Sequence, residues 1–271
     1  AVCTAWAEQH RSVDFCIQVL EEERPGAPAA RNLGLSKTQT PYVYFFDSDD
    51  LFSPDFLIDI QDTLISAHET ASPAQQTDLF FVPVNMRKGN TLQTRAFRQS
   101  DSPTMQIATS MLSTLSMIFR TAWLREIGGW DERLAVWQDW ELGVRALLHH
   151  PRMRWLTQKA YHEIMLHENS ITGASPTTRS KAALNTMRIA RETIMQAASA
   201  TSFNPTPCLR ALCLRAYIHA GLLSREGSQE GARAFYAFAR QVFLYPRFDD
   251  GVKKMENHSY CQFKEYLSLG F

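Results

Sequence analysis

Residues 24–50 read RPGAPAARNLGLSKTQTPYVYFFDSDD, and the order of patterns within this stretch indicates an α/β fold. A turn at Pro25-Gly26 is followed by small residues that predict a helix. Residues 42–46, YVYFF, form a continuous apolar run, which is typical of a parallel strand covered on both faces. The run ends in Asp47-Ser48-Asp49-Asp50. Because ligands of open α/β sheets bind at the carboxyl ends of strands, this acidic turn is a candidate site.

The residues before this stretch predict one helix and one strand. The first ten residues, AVCTAWAEQH, have the composition of the end of a helix. Residues 13–20, VDFCIQVL, are apolar and β-branched without a helical period, so they predict a buried strand.

Strands and helices continue to alternate after the acidic turn. Ser53-Pro54 places an N-cap before a proline and predicts a helix that reaches about His68. Further predicted elements are strands at 79–85 and near 115–119, a short helix closed by Gly128-Gly129, and a helix over 137–149. The polar, aperiodic residues 87–110 predict a long surface loop over a site.

The sequence pattern changes near residue 172. Beyond it, apolar residues recur at spacings of three and four, which is typical of amphipathic helices, as in Ala183, Met187, Ala190, Ile194 and Ala197. We therefore expect an α/β domain over residues 1–172 and a helical C-terminal region over residues 173–271.

Composition excludes several classes of protein. Hydrophobic residues make up 45% of the 271 residues and charged residues 21%, which is ordinary for a globular protein. The formal net charge of +0 argues against a nucleic-acid-binding surface. No apolar run approaches the ~20 residues of a membrane span. Five cysteines without a C-x-x-C pair indicate reduced thiols, so we expect a cytoplasmic protein.

The acidic turn has the chemistry of a cation site. Asp47, Asp49 and Asp50 repel one another, and a bound cation relieves that repulsion. Hard carboxylate oxygens suit Mg²⁺ or Mn²⁺, which commonly bridge protein carboxylates and substrate phosphates. A solvated turn, in which Asp50 and Ser53 only prepare the next helix, is the alternative.

The order of these motifs resembles the family 2 glycosyltransferases. In that family a glycine-containing turn leads to an Ala-Arg-Asn-x-Gly element, a hydrophobic strand and a D-x-D motif. The corresponding residues here are Gly26, Ala30-Arg31-Asn32, Gly34, residues 42–46 and Asp47-Ser48-Asp49. Residues 119–147, FRTAWLREIGGWDERLAVWQDWELGVRAL, are similar to the acceptor-side segment of the family, and HENSIT at 167–172 is similar to its closing element.

The resemblance implies a GT-A nucleotide-diphospho-sugar transferase fold, with a mainly parallel sheet flanked by helices and a helical C-terminal region. The family normally begins with a strand, a helix and a second strand that hold the nucleotide. Residues 1–20 resemble the helix and third strand that follow those parts, so we expect the N-terminal strands of the domain to be missing.

The resemblance further implies an inverting transfer from a nucleotide-diphospho-sugar, expected to be a UDP-sugar. The acceptor would be a glycan or lipid-linked hydroxyl in cell-surface polysaccharide or glycoconjugate synthesis. Asp47 and Asp49, with His167, would hold Mn²⁺ or Mg²⁺, which neutralises the leaving diphosphate. Arg31, Asp47 and Ser170 would contact the donor. No nucleic acid partner is expected, and peripheral association with the inner face of the membrane is left open.

One carboxylate must take the proton of the acceptor hydroxyl. By resemblance, Asp139 matches the aspartate of the family's Glu-Asp pair, and Gln138 stands where the family has Glu. A helix start would favour ionised Asp139, although the residue could equally be a plain cap. Glu141 is the competing carboxylate. Trp130, Trp137 and Trp140 either stack on sugars or pack in the core.

Two other functions stay open at this point. The chain could be a catalytically impaired module that binds sugar nucleotides, or a metal-dependent nucleotidyltransferase that uses the same metal chemistry.

Overall fold

The computed structural model describes residues 2–10, 12, 15–69, 72, 75–166 and 175–243. The helices are α1 (Val2–Gln9), α2 (Ala27–Lys37), α3 (Phe56–Glu69), α4 (Pro103–Thr109), α5 (Thr121–Glu126), α6 (Gln138–Leu148), α7 (Pro176–Ala200), α8 (Thr206–Arg225) and α9 (Gln229–Val242). The strands are β1 (Tyr42–Tyr44), β2 (Leu79–Phe81), β3 (Val84–Lys88), β4 (Thr91–Thr94), β5 (Met117–Arg120), β6 (Met153–Trp155) and β7 (His162–Met165).

The first sheet has the strand order β1-β5-β2-β6. Side chains alternate across it, so Phe80 and Ile118 face α3, whereas Leu79 and Phe119 pack on the side of α5 and α6. Both faces are therefore covered by helices, as expected for an α/β domain.

The strand pairing is mixed, whereas the sequence predicted a mainly parallel sheet. Strand β5 runs antiparallel to both β1 and β2, and only β2 and β6 pair in parallel. Strand β1 is also shorter than the apolar run 42–46 and only half-buried, because β5 pairs with it on one side and it lies at the end of the strand order.

The predicted strand at 79–85 is divided between two sheets. Strand β2 ends at Phe81, and the Val82 N–H donates the last ladder bond to the Ser116 carbonyl at 3.0 Å. Pro83 has no N–H to donate, so the ladder stops there. The chain then enters a second sheet of order β4-β3-β7, in which β3 pairs in parallel with β7.

Residues 87–110 are not the single surface loop that their polarity suggested. Strand β4 pairs antiparallel with β3 across a turn in which Gly89 has a φ of 56°, and α4 follows. Strand β4 could not be recognised from the sequence, because all four of its side chains are exposed and no apolar alternation marks it. Helix α4 buries Gln106 and Ile107.

The strand predicted at 13–20 is also wrong over residues 15–20. Residues 15–20 form no strand, and Phe15, Val19 and Leu20 are exposed. A strand needs a ladder partner, and none of the described strands pairs with this segment. Residues 13 and 14 lie outside the described residues. The helical character of the first ten residues is confirmed by α1.

Helices α7, α8 and α9 pack onto the α/β part through one shared core. Ile107 of α4 and Trp140 and Val144 of α6 belong to the same buried cluster as side chains of all three C-terminal helices. The helical character expected after residue 172 is confirmed up to Val242. The domain boundary at 172 stays a prediction, because residues 167–174 and 244–271 lie outside the described residues. In the part of the chain that is described, no helix is long and apolar enough to cross a membrane.

Candidate functional site

The acidic turn follows β1 and is fixed by β7. The Asp50 N–H donates to the Asp47 carbonyl at 3.2 Å, which closes the turn. The Asp50 carboxylate accepts the Met165 N–H at 2.8 Å, and Leu51 exchanges two backbone hydrogen bonds with Glu163. Asp50 therefore anchors the turn. Asp49 is exposed, and the side chain of Asp47 is 37% exposed, so these two carboxylates face solvent.

Arg31 connects the acidic turn to the start of α6. From α2, its Nη2 lies 2.5 Å from Asp47 Oδ1, and its Nη1 donates to Gln138 Oε1 at 3.3 Å. The guanidinium carbon lies 4.4 Å from the centre of the Trp130 ring. Stacking and two polar partners hold the cation in one orientation. The structure thus brings together Arg31, Asp47 and the residue beside Asp139.

Asn32 fixes the loop that leads to α6. Its Oδ1 accepts the Trp130 N–H at 2.9 Å, and its Nδ2 donates to the Trp130 carbonyl at 2.8 Å. The preceding Gly129, at a φ of 64°, approaches so closely that a Cβ there would lie 2.8 Å from Asn32 Oδ1. Trp130 is 2% exposed and packs edge-on against Phe45, so it is a core residue.

Asp139 lies in the first turn of α6, as predicted. The helix follows Trp137, whose φ is 56°, and the Asp139 carboxylate accepts the Trp140 N–H at 2.8 Å and the Thr114 N–H at 3.4 Å. The carboxylate is half-buried. These two backbone N–H bonds hold the carboxylate in place at the start of the helix.

Glu141 is placed differently. Its side chain is 1% exposed and pairs with Arg145, whose Nη2 lies 2.9 Å from Glu141 Oε2. Arg145 also donates to the carbonyls of Ile127 at 2.6 Å and Gly129 at 2.9 Å. Glu141 therefore orients the arginine that fixes the loop before α6. Trp140 is also buried in the core, and Trp137 packs half-buried beside it.

Two arginines near Asp139 were missed by sequence reasoning. Arg95 and Arg215 are both desolvated, and burial lowers the pKa of each guanidinium, in the case of Arg215 to about 10, whereas the charge of Asp139 raises it. Arg95 belongs to the segment 87–110, which the sequence predicted to cover a site. That prediction was the signal that could have pointed to Arg95. Arg215 lies on α8, and no local pattern linked that helix to the site.

A buried histidine packs against the residues that follow the acidic turn. His162 at the start of β7 is 0% exposed and packs among aromatic rings, with centroid distances of 4.3 Å to Phe56 and 4.9 Å to Phe52. Its Nδ1 accepts the Ser53 N–H at 3.4 Å. Burial lowers the pKa of His162 from 6.5 to about 4, so the ring is neutral at pH 7.

The carboxylates of the acidic turn fit a Mg²⁺ or Mn²⁺ site that is completed by substrate. These ions bind through one or two carboxylates together with phosphate and water oxygens, which matches Asp47 and Asp49. Among the described residues, no group of three His, Cys, Asp or Glu side chains could hold a metal by itself. His167 and Ser170, the other predicted ligands, lie outside the described residues.

The protein is similar in sequence and fold to known glycosyltransferases. Residues 2–128 match the family model described as Glycosyl transferase family 2. Among solved structures, TarS of S. aureus superposes with a TM-score of 0.54 at 18% identity, covering 81% of this chain. TarS 1–349 in complex with UDP-GlcNAc gives 0.50 at 20% identity, covering 83% of this chain and 75% of that one.

A third structure is the mannosyltransferase PcManGT from Pyrobaculum calidifontis in complex with GDP-Man and Mn²⁺. Its TM-score is 0.50 at 17% identity, covering 98% of this chain and 69% of that one. The chain spans 35% of the first TarS chain. No curated protein sequence matches it. The GT-A fold and the resemblance of residues 2–128 to family 2 glycosyltransferases are thereby confirmed.

Proposed function

We propose that this chain, whose residues 2–128 match the family 2 glycosyltransferases, moves a sugar from a nucleotide-diphospho-sugar to an acceptor hydroxyl with inversion at the anomeric carbon. The observation that carries the proposal is the link that Arg31 makes between Asp47 and Gln138. It puts an acidic turn suited to a metal and a diphosphate next to a helix start that presents a carboxylate.

On the donor side, Asp47 and Asp49 would hold Mn²⁺ or Mg²⁺, which would neutralise charge on the leaving diphosphate. Arg31 adds a fixed cation there, with donors for diphosphate oxygens beyond the two already bonded to Asp47 and Gln138. Cations positioned where charge develops in the transition state lower the barrier to bond cleavage. Ser170 and His167 are proposed to contribute on the same side.

On the acceptor side, Asp139 is proposed as the general base. It would take the proton of the acceptor hydroxyl while that oxygen attacks the anomeric carbon from the face opposite to the diphosphate. The half-buried carboxylate already accepts two backbone N–H bonds, which hold it in place. A single displacement needs no covalent nucleophile, and Glu141 is occupied by Arg145.

The donor is proposed to be a UDP-sugar, and the GDP-Man complex of the similar mannosyltransferase makes a GDP-sugar the second choice. The acceptor would be a glycan or a lipid-linked glycan used for cell-surface polysaccharides or glycoconjugates. The reaction would take place in the cytoplasm.

A donor panel in the presence and absence of Mn²⁺ tests this proposal. We expect UDP-GlcNAc, GDP-Man or a related donor to raise the melting temperature only with Mn²⁺, since a ligand stabilises the state that binds it. Asp49→Ala should abolish this shift, whereas Asp59→Ala, an exposed carboxylate on α3 that pairs with Lys159, should not.

The mass of the product then identifies the transferred group. An acceptor that gains one sugar supports glycosyl transfer, and one that gains a nucleotidyl group contradicts it. Donor binding without transfer to any acceptor of a glycan array would instead identify a binding module. Unchanged Mn²⁺-dependent binding in Asp49→Ala would refute the assignment of the acidic turn.

A further inference from the structure

Helix α4 holds two arginines from distant parts of the chain beside the candidate base. The last turn of α4 offers its carbonyl oxygens, and Arg215 Nη1 donates to the Ile107 carbonyl at 2.9 Å. Arg95 Nη2 donates to the carbonyl of Ser110, the residue that ends the helix. Carbonyls at a helix C-terminus favour cations, so both guanidiniums are fixed by the same helix end.

The same cluster is continuous with Asp139. The guanidinium carbon of Arg215 lies 5.1 Å from the ring centre of Trp137 and 4.9 Å from that of Trp140, the residues on either side of the 138–139 pair. Trp140 Nε1 donates to the Ile107 carbonyl that also binds Arg215. The charge of Asp139 acts on both arginines, and the charge of Arg95 acts on Arg215.

The charges of this cluster do not balance. Asp139 is the carboxylate whose charge acts on the two guanidiniums, and within the described residues neither arginine forms an ion pair. Each guanidinium has five N–H groups, of which carbonyls take only a part. Arg215 Nε is buried and has no hydrogen-bond partner in the described part of the chain. A desolvated cation without an anionic partner is costly, which is typical of a site that binds an anion.

We propose that Arg95 and Arg215 together bind an anionic group of the acceptor, a phosphate or a similar oxyanion, beside Asp139. Two guanidinium forks match the oxygens of such a group better than a lysine would. Its negative charge balances the surplus positive charge and places the acceptor next to the base. The acceptor class is therefore a glycan that carries phosphate or carboxylate close to the hydroxyl that reacts.

The position of the pair separates it from the donor. Arg31 is the cation that contacts Asp47 of the acidic turn, whereas Arg95 and Arg215 are linked to Asp139 through α4 and the two tryptophans. The assignment to the acceptor rests on the proposed function, but anion binding itself is measured without turnover. A failure of the proposed function can therefore be told apart from a failure of anion binding.

Inorganic phosphate is the probe, with thermal stability read at constant ionic strength against chloride. We expect phosphate to raise the melting temperature of the full chain, with a shift that grows with the logarithm of phosphate concentration above Kd. Arg215→Met should lose this shift. Arg210→Met is the matched control, because Arg210 is exposed on the same helix and should keep it. Arg95→Met repeats the test outside the helical core and should also lose the shift.

The other outcomes overturn the proposal. An equal response of the wild-type chain to chloride and phosphate, or a full phosphate shift in both Arg95→Met and Arg215→Met, contradicts an anion site. Loss of the shift in Arg31→Met instead of Arg215→Met assigns the phosphate to the donor side. A parallel loss of UDP and GDP affinity in Arg215→Met shows that the pair holds the donor diphosphate.

Discussion

Arg31 Nη2 lies 2.5 Å from Asp47 Oδ1, so helix α2 supplies a cation to the first carboxylate of the acidic turn. The side chain of Arg31 is only 13% exposed, whereas that of Asp47 is 37% exposed. The cation is thus held by the protein, and the carboxylate keeps a face open to ligands. Part of the repulsion among Asp47, Asp49 and Asp50 is relieved by the protein itself.

Arg31→Met should weaken donor binding tenfold or more. A hydrogen bond to a charged group contributes about 1.5–3 kcal/mol, and a diphosphate would lose at least one. Titration calorimetry with a nucleotide-sugar and Mn²⁺ measures the change. Arg24→Met is the control and should bind the donor normally, because the exposed Arg24 pairs with Glu22 and Glu132 and not with the acidic turn. Unchanged affinity in Arg31→Met would remove this residue from the donor site.

Asp139→Asn should lower the turnover rate by about 10²–10⁴-fold and leave the donor Kd unchanged. Asparagine keeps the shape and accepts the Trp140 N–H, but it cannot take a proton at neutral pH. Single-turnover rates and donor titrations separate the two effects. Asp131→Asn, which removes the ion pair with Arg133 but leaves an oxygen to accept the Arg133 N–H, should keep its rate. Near-normal turnover in Asp139→Asn would require a different base.

Glu141→Ala should lower the free energy of unfolding by about 3–5 kcal/mol, because it leaves the charge of Arg145 buried without its partner. Urea denaturation measures this loss. Asp55→Ala breaks an exposed pair with Lys159 and should change stability far less. The same burial makes Glu141 variants poor kinetic controls, since a lost rate could follow from a displaced loop before α6. A fully stable Glu141→Ala would contradict the orienting role.

His162 should make the fold sensitive to mild acid. Its pKa is lowered from 6.5 to about 4, so between these values the unfolded chain binds a proton that the folded chain refuses. The stability that the neutral His162 ring contributes is fully present above pH 6.5 and decreases as the pH falls toward 4. At pH 5 this loss is about 2 kcal/mol relative to pH 7. His219, whose pKa is lowered to about 3, adds a loss in the same direction.

His162→Phe tests the contribution of His162 to the acid sensitivity, because phenylalanine suits the aromatic surroundings and does not titrate. Urea denaturation at pH 7 and pH 5 should give a loss of stability about 2 kcal/mol smaller than in the wild-type chain. His10→Gln, which alters an exposed histidine, should retain the full loss. An equal loss in His162→Phe and the wild-type chain would place the acid sensitivity elsewhere.

Local signals in the sequence predicted the elements that depend on neighbouring residues. Helix α2 follows the turn at Pro25-Gly26, and α6 begins at Gln138 as expected. Strand pairing was not predictable in the same way, because the direction of β5 between β1 and β2 depends on partners far along the chain. The apolar run at 13–20 shows the limit, since β propensity without a partner strand forms no strand over residues 15–20, where Phe15, Val19 and Leu20 are exposed.

The residues of the candidate site also differ in whether local sequence patterns could predict them. Asp47 lies in the turn that follows β1 and Asp139 in the first turn of α6, and both positions were predictable from the local pattern together with the family resemblance. Arg215 was not, since it is 76 residues beyond Asp139 on a helix whose own periodicity indicates only a packed face. Long-range packing of α8 against α4 brings it to the site.

The core that α4 and α6 share with α7, α8 and α9 also bears on how such proteins can diversify. Ile107, Trp140 and Val144 are buried against the C-terminal helices, and Arg215 reaches back across the same contact. Helices α7, α8 and α9 therefore do not form a unit that packs independently of the α/β part. A chimaera that exchanges these helices between two related chains must carry the facing surfaces of α4 and α6 with them, because the helices and those surfaces share one core.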